Sequence, residues 1–328
     1  MFATLSNLVD RNFVLAFVLP TLIGTVCVLL LLGDILPPAI QVTALTTTDD
    51  FAKLTTLMLI LWSLAVLLSV FSNPIYQLLE GYWGPLRTAG RLCAKQRAFD
   101  TILAGIERTR ELLTRDAAAQ TGGLIDSHRE AVRQFRSNWP PRRDLVLPTR
   151  FGNVIRAFEN YPNTVYGPDG IAAWPRLFGV LPTSLSGAIE AARAEVSFFV
   201  NLCLMASVVA AVALTRGAFD LLHWAQITSQ WDQLPRTNLI VAGVSLVATR
   251  ALYEAAISQA YGWGSLVMAA FDLYLPALAK QLGYRPGKTT ADRRSFWRAL
   301  NGVFLHHQEM DPTKWPAAGD TDHGPDNT

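Results

Sequence analysis

Long uncharged runs dominate the pattern of apolar and polar positions. From Phe13 to Gly33 there are 21 consecutive uncharged residues, about 31 Å as an α-helix, which matches the hydrocarbon core of a bilayer. A cleaved signal peptide is the competing reading, but its apolar region is usually only about 7 to 15 residues long. Pro20 predicts a kink, because proline has no N–H for the carbonyl one turn back. The second run follows Lys53 and stays uncharged to Glu80, with Pro74 near its exit and Tyr76, Tyr82 and Trp83 where an interfacial aromatic belt is expected. The third is Val196 to Thr215, with Asn201 as its one amide. A fourth starts at Thr237, is interrupted by Arg250 and Glu254, and is uncharged again to Phe271. The expected architecture is therefore all-α: an integral membrane protein of about four spans, near residues 13–33, 54–74, 196–215 and 238–260, the last continuing as a helix to 279.

Between the spans the texture changes. Residues 1–76 read as a transmembrane hairpin, 77–195 as a helical insert, 196–279 as a second hairpin, and 280–328 as a tail that is disordered from about 316. Leu92, Phe99, Ile102, Leu103, Ile106 and Leu113 recur near helical spacing, which predicts an amphipathic helix ending at Thr121, Gly122 and Gly123. A second helix, Leu124 to Asn138, stops at Pro140 and Pro141. From Pro148 onward, prolines and glycines divide short helical pieces, with Asp169 a cap for a helix from Gly170, and Ser184 or Ser186 a cap for the helix entering the third span. Such a segment holds its shape by burying large aromatics, so Tyr161 and Trp174 are expected to be largely buried.

The loops set the orientation. Residues 34–53 hold one basic residue, Lys53, against Asp34, Asp49 and Asp50, whereas residues 73–195 hold 16 basic and 12 acidic residues and residues 280–328 hold 7 basic ones. The positive-inside rule then puts Arg133, Arg293 and both termini in the cytoplasm and Asp49 outside.

Composition agrees with a membrane protein, since 51% of residues are apolar and only 16% charged. A net charge of +2 gives no global attraction to nucleic acid, though a nucleic acid or nucleotide ligand stays open. Cys27, Cys93 and Cys203 form neither a disulfide framework nor a zinc motif. GYRPGKTT at 283–290 fails as a phosphate loop, because the glycine required five residues before Gly287 is Leu282. His306, His307, Glu309 and Asp311 lack a second cluster that would complete a metal site. No nucleophile, paired-carboxylate or cofactor motif is present, so no enzyme, metal or cofactor is expected.

Two constellations remain. At 100° per residue, Arg250, Glu254, Ser258, Tyr261, Ser265 and Asp272 share one helix face within about 80°. Charges at membrane depth turn to water or to each other, so this stripe reads as a pore lining or a polar seam between helices. If the span ends before Arg250 or near Glu254, it reads instead as the wet face of a cytoplasmic helix. The second constellation is Arg150, Asn153, Arg156, Glu159, Tyr166 and Asp169, near Tyr161 and Trp174. It reads either as a ligand pocket whose arginines receive an anion or as ion pairs and aromatic packing that hold the segment together.

The run PTRFGNVIRAFENYPNTVYGPDGIAAWPRL, residues 148–177, resembles a signature of uncharacterised bacterial multi-pass membrane proteins with a cytosolic insert between two pairs of spans. The resemblance implies a bacterial inner-membrane location and assigns no catalytic residue. Its layout is similar to that of membrane effectors of bacterial antiviral (anti-phage) defence, which implies an ion channel gated through a cytosolic module. One stripe on a few helices cannot surround an aqueous path, so a homo-oligomer is expected. The alternative is a membrane scaffold whose insert recruits a cytosolic partner protein.

Overall fold

The structure, a computed structural model, describes residues 10–33, 51–115, 122–227 and 236–310. The hairpin with Asp49, the turn at Thr121, Asp311 and the tail from 316 lie outside them. Among the described residues the regular elements are all helices: α1 (Arg11–Leu32), α2 (Phe51–Val70), α3 (Ser72–Glu80), α4 (Ala89–Arg115), α5 (Gly122–Asn138), α6 (Arg150–Glu159), α7 (Tyr161–Val165), α8 (Gly170–Phe178), α9 (Thr183–Ile227), α10 (Thr237–Gln281) and α11 (Thr290–His306). α1, α9 and α10 are each long and apolar enough to cross a membrane, and the bent pair α2–α3 raises the number to as many as four. The 55° bend between α2 and α3 falls where Pro74 withholds an N–H from the Val70 carbonyl and its ring crowds that carbonyl.

The chain forms two compact units, residues 1–79 with 191–259 and residues 80–190 with 260–328. α9 and α10 have 45 residues each, about 68 Å, and each contributes to both units.

In the first unit, Pro20 acts as its chemistry requires. Its position would normally supply the N–H for the Ala16 carbonyl. Instead residues Val14–Val18 widen into a π-helical turn, with the Leu19 N–H on the Val14 carbonyl, and the fully buried Asn201 donates its side-chain N–H to the Ala16 carbonyl at 2.7 Å. The one amide of the third apolar run thus satisfies the carbonyl that proline leaves open. A Cβ on Gly24 would come within 2.8 Å of the Met205 side chain, so α1 and α9 approach closely there. Tyr76 and Ser197 share a hydroxyl–hydroxyl bond of 3.0 Å.

The second unit is built on aromatic contacts and tight glycines. Phe99 of α4 is buried against Phe135 (5.2 Å between centroids) and Trp139 (5.9 Å), which joins α4 to α5. Residues 148–153 wrap the turn after α3: the Thr149 hydroxyl donates to the Glu80 carbonyl at 2.8 Å, and a Cβ on Gly152 would lie 2.5 Å from that same oxygen. Asn153 is buried, with its amide bonded to both backbone groups of Leu147 and to the Thr149 carbonyl. Asp169 accepts from the Ala172 N–H and caps α8. The segment from 280, expected as a tail, instead carries α11. A capping box of Thr289 and Asp292 starts that helix, and Phe296, Trp297 and Leu300 are buried. Asn301 accepts from the Asp169 N–H at 2.7 Å and donates to the Gly167 carbonyl at 3.0 Å. An apolar face and two amide bonds to the insert give this segment a fixed place in the second unit.

Candidate functional site

The polar face of α10 is divided between the units, and each part has its own surroundings. In the first unit the depth of Arg250 follows from helix register. The Cys203 thiol lies 3.5 Å from the Thr249 carbonyl, and farther along the pair Asn238 donates to Asp220 at 2.6 Å. Cys203 is the eighth residue of the uncharged run Val196 to Thr215, so Arg250 lies level with the middle of that run. Its guanidinium pairs with Glu254 one turn on and lies 5.8 Å from the Tyr253 ring. The Arg250 side chain is nevertheless 67% exposed and that of Glu254 35% exposed. Ser258 is exposed as well. Ile240, Val244 and Val247, all exposed, extend this uncovered face toward the start of α10, within an arc of about 120°. Only 17% of the apolar window of α10 is buried, against 44% for α9.

The rest of the stripe belongs to the second unit and has partners there. Tyr261 donates to Asn138, and Ser265 donates to the Gly262 carbonyl in its own helix. Asp272 accepts from both Tyr161 (2.7 Å) and Tyr166 (2.8 Å), whose rings meet edge to face at 6.2 Å. Burial, and then the carboxylate they bind, hold both phenols above their usual pKa.

The second constellation also separates. Tyr166 joins Asp272, Asn153 ties the backbone, Asp169 caps α8, and Arg150 is exposed on the first turn of α6. Arg156 and Glu159 stay together, 3.6 Å apart and about three-quarters buried. Two residues outside the expected set complete this cluster. The Arg156 guanidinium lies over the Tyr82 ring at 5.5 Å, and Glu80, at the end of α3, feels the charges of both Arg156 and Glu159. Burial, with the nearby Glu159 charge, pushes the Glu80 carboxyl from an ordinary 4.5 up to about 7, against the pull of Arg156. Burial raises Glu159 too, with Arg156 opposing and Asp169 adding to the rise. Two carboxylates thus compete for one guanidinium, and near neutral pH Glu80 carries a proton about half the time. Tyr161 and Trp174, expected to be largely buried, keep only a minority of their surface exposed. Trp174 packs on Phe178 at 5.7 Å and Phe271 at 5.9 Å.

Among the described residues no three His, Cys, Asp or Glu side chains converge as a metal site. Comparison with protein-family models, curated proteins and solved structures finds no match, so the functional reading rests on geometry.

Proposed function

We propose that this chain assembles as a homo-oligomer in the bacterial inner membrane, with both termini in the cytoplasm. In the assembly the Arg250–Glu254 face of α10 meets its counterparts from other copies and lines a water-containing path for ions. The observation that carries this reading is an exposed ion pair level with the middle of an apolar run. At a helix centre each such charge costs on the order of 2.5 to 3.5 kcal/mol in hydrocarbon. Copies arranged around a polar path remove that cost, and the uncovered face of α10 leaves room for them. A ring of Glu254 carboxylates would concentrate cations. The cytosolic second unit, which shares α9 and α10 with the first, is the gating module on this reading. A role in antiviral defence rests on the likeness of layout alone.

One observation favours a scaffold instead. Tyr261 and Asp272 already have partners within the second unit, so less of the stripe is free to line a path than the sequence suggests, which suits a dry polar contact between helices. Ion flux through reconstituted bilayers separates the two. The channel reading expects a cation-selective conductance whose reversal potential moves toward zero selectivity in Glu254→Gln without loss of assembly. The scaffold reading expects no conductance and weaker subunit association, because the substitution unpairs Arg250. Absence of conductance from the wild-type chain, across voltage and with cytosolic extract present, would sink the channel.

A further inference from the structure

We infer that the first unit binds the acyl chain of a membrane phospholipid in a cavity of about 440 Å³ between α1, α2, the start of α3 and α9. Its α9 wall includes Met205 and Val208, which lie within the uncharged run Val196 to Thr215, at the level where the surrounding solvent is hydrocarbon. The lining is apolar except for Thr21 and Thr25, and Thr21 donates its hydroxyl to the Phe17 carbonyl in its own helix at 2.7 Å. A buried water needs two to four polar partners, and this lining does not offer them. Among the described residues no charged side chain lines the cavity, so it suits a tail and not a headgroup. Leu67, Phe71 and Val208 form its open side and are 52%, 50% and 40% exposed. The cavity is therefore continuous with the surface that faces lipid. At roughly 30 Å³ for a water-sized group, it has room for a run of about fifteen such groups, enough for much of one acyl chain. A helix, about 10 Å across, does not fit, which sets lipid ahead of a second copy of the chain. Phe71 and Ile75 also flank the bend between α2 and α3, so an acyl chain held here supports that bend.

The test is photolabelling of the full chain in nanodiscs containing a phospholipid with a diazirine at mid-chain, mapped by mass spectrometry. Label should concentrate on α1 and on residues 204–208 relative to Phe219 and Leu222, which are exposed elsewhere on α9. Thr25→Leu or, separately, Val208→Phe should lower the cavity label while Phe219 label stays constant. Either larger side chain takes up space that the acyl chain would fill, so the cavity label should fall toward the level seen at Phe219. Gly24 is not a useful position, since any Cβ there overlaps Met205. Even labelling of cavity and outer surface in the wild-type chain overturns the inference, whether or not the variants fold. So does a cavity label unchanged in both folded variants. Cross-links joining two copies through residues 67 or 71 would assign the cavity to a second chain and overturn it as well.

Discussion

Replacing Glu80 by glutamine should change how the stability of the second unit depends on pH. In the folded chain the Glu80 carboxyl holds its proton up to about pH 7, and an unfolded chain releases it near 4.5. Between those values the folded state binds more protons than the unfolded state, so stability falls as pH rises through that window. The contribution is fully present below 4.5 and lost above 7. At 1.36 kcal/mol per pH unit, the gap between 4.5 and 7 amounts to about 3 kcal/mol. For a unit of this size that is a shift of about 6 to 12 °C in melting temperature. Glutamine keeps the shape of the protonated acid and cannot ionise. Glu80→Gln should therefore melt with the wild type at pH 4.5 and above it by up to that amount at pH 8. Trp139, Trp174, Trp263 and Trp297 all lie in the second unit, so scanning fluorimetry of tryptophan emission reads the transition. Glu159 is raised in the same direction and should leave a smaller slope in the variant. A gap between variant and wild type that is the same at pH 4.5 and pH 8 would refute the reasoning.

Asn201→Ala should cost about 1 to 3 kcal/mol by leaving the Ala16 carbonyl without a donor; in a Pro20→Ala background, where the backbone N–H returns, the penalty should shrink, as denaturant titration of both pairs would show. Gly170→Ala should lower the folded yield of the second unit sharply, because its Cβ would lie 2.2 Å from the Glu159 carbonyl oxygen. Gly105→Ala on open helix surface should instead raise stability by about 0.5 to 1 kcal/mol, and equal effects of the two alanines would contradict the packing described.

The long apolar helices were legible because they depend on chain-local quantities, length and absence of charge. The cap at Asp169 and the Arg250–Glu254 pair were legible for the same reason, since their partners lie three and four residues away. What escaped was tertiary. Nothing in the spacing of Tyr161, Tyr166 and Asp272 marks them as partners across more than a hundred residues, and six residues on one helix face look like one stripe in the sequence although the helix contributes to two units. In the sequence Glu80 stands out only as the charge that ends an apolar run. The signal that would have found it is the pair Thr149 and Gly152, a hydroxyl and a missing side chain three residues apart, which shape a seat for another segment's backbone. The stretch of α11 reads in the sequence as part of a tail, although Phe296, Trp297 and Leu300 stand at helical spacing.

The central claim is that the Arg250–Glu254 face is wet at membrane depth. Single cysteines at 250, 254 and 258, in a chain whose Cys27, Cys93 and Cys203 are replaced, can be exposed to a charged, water-soluble thiol reagent in sealed proteoliposomes. Met58 and Leu59, exposed on the apolar helix α2, serve as controls for a face without polar side chains. The account predicts rapid modification at all three α10 positions and none at the controls. Positions 250 and 254 as unreactive as 58 and 59 would contradict it.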